Sequence, residues 1–263
     1  MRSRNIRVAK WPVLLGIWSL LAGCAAQHRW TLAEGQHPQA YQAKVTRVVS
    51  GKFLLFLPAG YKAHGKTRYP LLIFLHGSGE AGDDLEKVKV HGPPNFVSSR
   101  PDFPFIVASP QSSSSRDFDP VELNLMLDKL LAKLPVDPDR VYLTGLSMGG
   151  IWSYGWASLN PQRFAAIAPV CGRWETGDAC KLKGMPIWAF HGAKDDAVPI
   201  EGDQAMIDAI NACGGNAKIS VYPDVGHDVW NVAYADPQLY EWLLQHRRQG
   251  ASNQGASNQS ASK

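Results

Sequence analysis

The sequence predicts an α/β protein with a mostly parallel central sheet and helices on both faces. Short apolar runs alternate with segments of helical periodicity over roughly 200 residues, which is the pattern of repeated strand–helix–strand units. A chain of 263 residues is long enough for one domain of the larger α/β kind. A predicted strand, a tight turn and a predicted helix follow one another around Ser147, which is also typical of this fold class.

Eight segments have the composition of strands: 45–49, 53–57, 71–75, 105–109, 140–144, 164–170, 186–190 and 218–222. The first two surround Ser50 and Gly51, which predicts an antiparallel hairpin at one sheet edge. The unbroken run from Leu71 to Leu75 is typical of a central strand that is buried on both faces. Four helices are predicted between and after the strands, at 121–134, 151–158, 202–212 and 237–246.

The N-terminus has the features of an export signal. Four basic residues precede an apolar stretch from Trp11 to Leu21, which is too short to span a bilayer as a mature helix. The following Leu21-Ala-Gly-Cys24 resembles a bacterial lipobox, in which Cys24 carries diacylglycerol and becomes the new N-terminus. An ordinary secretory signal with a coincidental cysteine is the alternative. In such lipoproteins of Gram-negative bacteria, a residue like Ala25 favours the outer membrane.

Domain boundaries follow from these patterns. Residues 1–23 form the predicted signal peptide, 24–43 a tether, 44–247 the α/β domain, and 248–263 a tail expected to be disordered. The signal contains four of the 27 basic residues and no acidic residue, so 23 basic and 23 acidic residues remain after it. The balanced charge of the mature chain therefore gives no support for a nucleic-acid partner. The protein is expected to bind the membrane through the lipid on Cys24. The oligomeric state stays open.

Three cysteines remain once Cys24 is assigned to lipid. An oxidising compartment makes a Cys171–Cys180 disulfide the natural hypothesis, while pairings with Cys213, or no bridge, stay open. Neither the cysteines nor the histidines have metal-ligand spacing, so no metal is expected.

The turn at Gly145-Leu-Ser147-Met148-Gly149 has the Gly-x-Ser-x-Gly pattern of a nucleophile elbow. Glycines two residues on either side of the serine let a strand and a helix approach closely, and the tight turn strains the serine backbone. The Ser147 hydroxyl is expected to stand clear of the sheet. A helix-capping serine in a glycine-rich turn is the alternative.

Two later loops provide a base and an acid for a serine nucleophile. Asp195 follows one predicted strand, and His227 follows the last one. Because the carboxyl ends of parallel strands share one edge, both side chains are expected near Ser147. The competing interpretations are a helix start near Ile200 for Asp195 and a surface turn for His227.

The predicted oxyanion donors are the backbone N–H groups of Ser78 and Met148, since each begins a turn at the same edge. His76, at the end of a strand, is the histidine most easily mistaken for the base. We interpret it as structural, with hydrogen bonds to loop backbone.

Five stretches resemble the α/β-hydrolase superfamily, and most of all its secreted esterase branch of dienelactone-hydrolase-like and polyester-depolymerase-like proteins: LHGSGEAGDD, VDPDRVYLTGLSMGG, PQRFAAIAPVCG, PIWAFHGAKDDAVP and VYPDVGHDVW. The resemblance covers about 45–245. It places the nucleophile on Ser147, the acid on Asp195 and the base on His227, with oxyanion donors at Ser78 and Met148. It implies an α/β-hydrolase fold without a large lid domain, and a serine carboxylesterase that uses no cofactor.

The expected substrates are acyl esters. The short predicted loop between Cys171 and Pro186 indicates an open site, which suits short acyl groups or acetyl and feruloyl groups attached to polysaccharide. Trp152, Trp174 and Trp230 are candidates for lining an acyl subsite, although such aromatics are more often core residues. A peptidase of the same fold and a non-catalytic, lipid-anchored envelope binding protein are the alternative functions.

Overall fold

Eight strands form one mixed sheet in the computed structural model, which describes residue 30, residues 32–44 and residues 48–248. The strands are β1 (Gly35–Lys44), β2 (Val48–Leu57), β3 (Tyr69–Leu75), β4 (Ile106–Gln111), β5 (Val136–Leu146), β6 (Ala166–Val170), β7 (Ile187–Gly192) and β8 (Ala217–Tyr222). Their order in the sheet is β1-β2-β4-β3-β5-β6-β7-β8. The predicted fold class is thereby confirmed.

The sheet is parallel from β4 to β8, and β2 runs antiparallel to both of its neighbours, β1 and β4. The chain adds β4 on one side of β3 and then crosses to add β5 on the other side. Strand order therefore reverses between β3 and β5. Ligand sites of open α/β sheets form at the carboxyl ends of strands at such a reversal.

Helices cover both faces of the sheet, as predicted. They are α1 (Pro93–Phe96), α2 (Pro120–Lys133), α3 (Met148–Leu159), α4 (Ile200–Ala212), α5 (Trp230–Ala233) and α6 (Pro237–Gln245). On β3, the side chains of Leu71, Ile73 and Leu75 join the core under α2, α3 and α4, whereas Leu72 and Phe74 join the core under α6. Every residue from Leu71 to Leu75 is buried, as the unbroken apolar run predicts.

The edge hairpin is confirmed, but its position was predicted wrongly. β1 occupies Gly35–Lys44 and pairs with β2 along its whole length, so a strand stands where the second part of the tether, residues 35–43, was expected. The Ser50–Gly51 pair lies inside β2 instead of between two strands. A paired strand at the edge of a sheet needs little apolar periodicity, because backbone hydrogen bonds supply much of its stability.

The disulfide joins Cys180 to Cys213, with Cα atoms 5.2 Å apart, and the predicted Cys171–Cys180 pairing is wrong. Cys171 is a buried free thiol at the end of β6. Cys180 lies on a 3₁₀ segment (Thr176–Leu182) that packs against α4, and Cys213 directly follows α4. Proximity in the folded chain thus decides the pairing, where proximity in sequence suggested the other one.

At the C-terminal end, Arg248 belongs to the folded body and not to the tail to which it was assigned. Its backbone N–H and its guanidinium both bind Asp139 at the start of β5. The signal peptide, Cys24 and residues 249–263 lie outside the described residues. Within the described part of the chain, no helix combines the length and the apolar character needed to cross a bilayer.

Candidate active site

The turn between β5 and α3 has the strained geometry predicted for it. Ser147 has φ of 52° and ψ of −116°, a left-handed conformation that residues with a side chain rarely adopt. The Ser147 N–H donates to the Val170 carbonyl at 3.0 Å, and the Ser147 carbonyl accepts the N–H of Ile151 at 2.9 Å in the first turn of α3. These bonds to β6 and to α3 hold the strained residue in place.

The two glycines of the motif allow the close packing that this turn requires. A β-carbon at Gly149 would collide with the carbonyl oxygen of Leu75, and one at Gly145 would lie 2.7 Å from the same oxygen. Helix α3 therefore starts almost in contact with the end of β3. The glycine requirement read from the sequence is confirmed.

Ser147, His227 and Asp195 come together as predicted. The Ser147 Oγ lies 2.9 Å from Nε2 of His227, and Nδ1 of His227 lies 2.8 Å from Oδ2 of Asp195. The Asp195 side chain is fully buried, whereas the His227 side chain is 25% exposed. A hydroxyl, an imidazole and a carboxylate in this order can move a proton from oxygen to nitrogen while the carboxylate orients the ring.

The Asp195 carboxylate is held by several donors. Its Oδ1 accepts the backbone N–H groups of Ala197 (3.0 Å) and Val198 (2.8 Å), so Oδ2 is left to face His227. The neighbouring Asp196 is exposed and takes no part in this arrangement. The choice of Asp195 over Asp196 agrees with the geometry.

The predicted oxyanion donors lie at adjacent strand ends. Leu75 pairs with Gly145 across β3 and β5; Ser78 begins a 3₁₀ turn after β3, and Met148 begins α3 after β5. The first N–H groups of a helical turn have no partner within the turn and are available to an anion. Their role as an oxyanion hole remains a prediction.

His76 is structural, as interpreted from the sequence. Its Nε2 accepts the N–H of Ser112 at 2.9 Å, so the ring proton must lie on Nδ1, which donates to the Gly77 carbonyl at 2.6 Å. Burial lowers the pKa of His76, although Gly77 and Glu80 counteract part of this effect. The ring is therefore neutral and has no free nitrogen for catalysis.

Cys171 stands next to the elbow in an unusual backbone conformation. Its φ is 42°, and its Sγ accepts the Ser147 N–H at 3.2 Å. Burial raises the pKa of the Cys171 thiol, and the charges of Asp195 and Asp203 raise it further, so the thiol stays protonated. Among the residues that the structure describes, Cys171, Asp195 and His227 also have donor atoms within 4.8 Å of one another. Asp195 and His227 already hydrogen-bond each other, and His227 also bonds Ser147, so the group fits acid–base chemistry.

Of the three candidate tryptophans, Trp230 contacts the site. Its ring centroid lies 5.2 Å from that of His227, with the two planes 86° apart, and 5.3 Å from that of His91. Trp152 and Trp174 pack against each other at 5.7 Å and partly against the core.

Sequence reasoning missed a second histidine–carboxylate pair behind Asp195. His191 Nδ1 lies 2.8 Å from Oδ2 of Asp203 on α4, and both side chains are fully buried. The signal was present in the sequence: Asp203 shares the apolar face of α4 with Met206, Ile207 and Ile210. An acid on an apolar helix face requires a buried partner.

Comparison with known proteins shows that this chain is similar to esterases. The model of the dienelactone hydrolase family matches residues 114–238, which include the elbow, Asp195 and His227. A thermostable esterase of known structure superposes with a TM-score of 0.67 at 26% identity, over 80% of this chain and 63% of that one. The chain has the α/β-hydrolase fold.

Two curated relatives illustrate the similarity. A probable carboxylesterase of Arabidopsis thaliana is 27% identical over 69% of this chain and 80% of its own length. A putative carboxymethylenebutenolidase of Escherichia coli K12 is 34% identical, over 35% of this chain and 37% of its own. The chain is thus similar to carboxylesterases and dienelactone hydrolases, although it spans less than two thirds of the thermostable esterase.

Proposed function

We propose that this protein is a serine carboxylesterase whose acyl-enzyme forms on Ser147. The observation that carries the proposal is the pair of short contacts, 2.9 and 2.8 Å, that link Ser147 to His227 and His227 to Asp195. The similarity to carboxylesterases supports the choice of an ester as the substrate.

In the proposed mechanism, Ser147 Oγ attacks the ester carbonyl and its proton passes to Nε2 of His227. The carbonyl oxygen becomes negatively charged and accepts hydrogen bonds from the backbone N–H groups of Ser78 and Met148. The tetrahedral adduct collapses when His227 returns the proton to the leaving alcohol. A water molecule then repeats the sequence on the acyl-enzyme, which releases the acid and restores Ser147.

The surroundings of the site favour small or polymer-attached acyl groups. The connection between β6 and β7 contains only the short 3₁₀ segment Thr176–Leu182, so within residues 48–248 no lid domain covers Ser147 at this point of the chain. Acetyl and feruloyl esters of polysaccharides are the substrate class that we propose, with Trp230 beside the base as an aromatic wall of the site.

We also propose that Cys24 carries the lipid that anchors the protein, in the outer membrane. The apolar stretch followed by Leu21-Ala-Gly-Cys24 supports the lipid on Cys24, and Ala25 supports the outer membrane. Several acyl chains on one residue would anchor the protein stably, where a single chain would be marginal. An intact mass of the mature protein without the added lipid would contradict the proposal.

The central test is hydrolysis of p-nitrophenyl acetate by variants of the site. Ser147→Ala and His227→Gln should each lower kcat by at least about a thousandfold, and the double variant should be no worse than Ser147→Ala because the two groups act as a unit. Ser158→Ala on the same helix, whose hydroxyl bonds the Gly155 carbonyl, is the matched control and should keep its activity.

A fluorophosphonate probe separates the competing functions. It should label Ser147 in the wild type and fail to label Ser147→Ala. Absence of labelling in well-folded wild type would favour a binding protein instead. Labelling together with cleavage of peptides, and not of acetyl, feruloyl or longer-chain esters, would favour a peptidase.

A further inference from the structure

The second histidine–carboxylate pair is placed to act on the first. His191 Nε2 lies 2.8 Å from the Val198 carbonyl oxygen and 3.3 Å from Oδ2 of Asp195, the same oxygen that faces His227. One buried carboxylate oxygen therefore lies between two imidazoles, one from β7 and one from the loop after β8. Nothing in the proposed reaction requires the second imidazole.

The hydrogen bonds of His191 determine where its protons lie. A carbonyl oxygen only accepts, so Nε2 must carry a proton toward Val198. On the other side, Asp203 already accepts a hydrogen bond from the Tyr154 hydroxyl (2.6 Å, to Oδ1) and one from the Gly172 N–H. Burial raises the pKa of Asp203, but its hydrogen bonds with His191, Tyr154 and Gly172 act in the opposite direction and stabilise the ionised carboxylate, so we place a proton on Nδ1 of His191 as well.

The groups that face the His191–Asp203 pair are consistent with a positively charged imidazole at His191. Burial raises the pKa of Tyr154 well above its usual value, and Asp203 adds to this effect, so the hydroxyl keeps its proton and donates. The protonated Cys171 adds no negative charge. Although burial lowers the pKa of His191, the bonds to Asp203 and Val198 and the charges of Asp203 and Asp195 raise it overall.

We propose that His191 and Asp203 form a permanently charged, buried pair that fixes and ionises the Asp195 carboxylate, and so acts as a positioning element of the esterase reaction. The positive end of the pair points at Asp195 and the negative end points toward α4. This arrangement favours a negative charge on Asp195 and disfavours a second positive charge on His227.

The direction of the expected effect follows from this charge arrangement. In Asp203→Asn, the amide can donate to Nδ1 of His191 and accept from Tyr154, so the hydrogen bonds persist while His191 becomes neutral. His227 then protonates more easily, and the acid limb of kcat/KM should move to higher pH by about half a unit or more. The groups that contact His227, namely Ser147, Asp195 and Trp230, are the same in this variant.

A purely structural role is tested by compensation and by a matched control. His191→Gln alone leaves Asp203 without its charged partner and should lower stability, whereas His191→Gln/Asp203→Asn pairs two amides and should restore much of it. The double variant should nevertheless keep the shifted acid limb. The control Asp137→Asn removes a carboxylate paired with Arg140 and Arg247 at the opposite edge of the sheet, so it should lower stability without moving the acid limb.

A direct measurement separates this inference from the proposed esterase function, on which it rests. In full-length protein kept in mild detergent, the imidazole ¹⁵N shifts of His191, assigned through His191→Gln, should show both nitrogens protonated from pH 5.5 to 8.5. A neutral His191 in this range would overturn the inference even in an active enzyme. So would an Asp203→Asn variant whose acid limb lies within about 0.1 pH unit of the wild type.

Discussion

His76 and His191 occupy the same local position on two different strands. Each comes at the end of a buried apolar strand, each is followed by glycine, and each is fully buried. His76 meets a backbone carbonyl and a backbone N–H and is neutral, whereas His191 meets a carbonyl and two carboxylates and has a raised pKa. The protonation of a buried histidine thus depends on partners that are distant in sequence, here Asp203 on a helix.

Of the effects that distinguish the surroundings of His191 from those of His76, the largest should be the contribution of the disulfide to stability. The Cys180–Cys213 bond ties the end of α4, the helix of Asp203, to the segment that packs against it. Replacing both cysteines with serine should lower the free energy of unfolding by about 3–4 kcal/mol through the larger freedom of the unfolded chain. Chemical denaturation measures this loss.

Reduction of the wild type provides the control for that experiment. Dithiothreitol should bring the wild type to the stability of the double serine variant and leave that variant unchanged. Equal stability of the oxidised wild type and the variant would show that the bond contributes nothing. Because the disulfide lies away from His76, the NMR chemical shifts of the His76 side chain should be unaffected by reduction.

The glycines that follow the two histidines should differ in what they tolerate. A β-carbon at Gly192 would collide with the carbonyl oxygens of Val225 and Gly226, in the backbone that leads to His227. A β-carbon at Gly77 would meet a side-chain carbon of Leu146, which can move. Gly192→Ala should therefore cost about 3 kcal/mol in unfolding free energy and Gly77→Ala about 1 kcal/mol.

Thermal and urea denaturation of both glycine variants test this ranking. Gly177→Ala is the reference, because nothing lies within 4 Å of its added β-carbon. Equal losses for Gly192→Ala and Gly77→Ala would contradict the packing described for the loop of His227.

The smallest expected effect is that His76 and His191 make the unfolding free energy depend on pH in opposite directions. Burial lowers the pKa of His76 below 6.5, so the unfolded chain binds a proton before the folded one does as the pH falls. The contribution of neutral His76 to the stability of the fold is therefore complete above pH 6.5 and is lost below that value. The pKa of His191 is raised above 6.5, so its stabilisation is complete below pH 6.5 and is lost as the pH rises through the raised value.

Urea denaturation between pH 5.5 and 8.5 reveals both dependences when variants are compared with the wild type. The stability gap to His76→Gln should narrow toward acid, and the gap to His191→Gln/Asp203→Asn should narrow toward alkali, by no more than about 1.4 kcal/mol per pH unit. Gaps that change with pH in the same direction would contradict the contrast between the two histidines.

Local patterns in the sequence predicted the elbow, the order of the strands along the chain and the residues that meet at Ser147. These features depend on short-range constraints, such as the glycines required by a tight turn and the shared edge of parallel strands. The pairing of Cys180 with Cys213 and of His191 with Asp203 depends on how α4 packs, which no local pattern encodes. The whole of β1 was missed, because a paired edge strand can be polar.

The direction of β1 has a consequence for how the protein would face its surroundings. β1 is antiparallel to β2, which is antiparallel to β4, so β1 runs parallel to β4 and Gly35 lies at the edge where the parallel strands begin. If Cys24 is acylated as proposed, the ten residues between it and Gly35 reach at most about 35 Å. The attachment point of the proposed lipid would then lie at the opposite edge of the sheet from Ser147, so that anchoring leaves the mouth of the candidate site free.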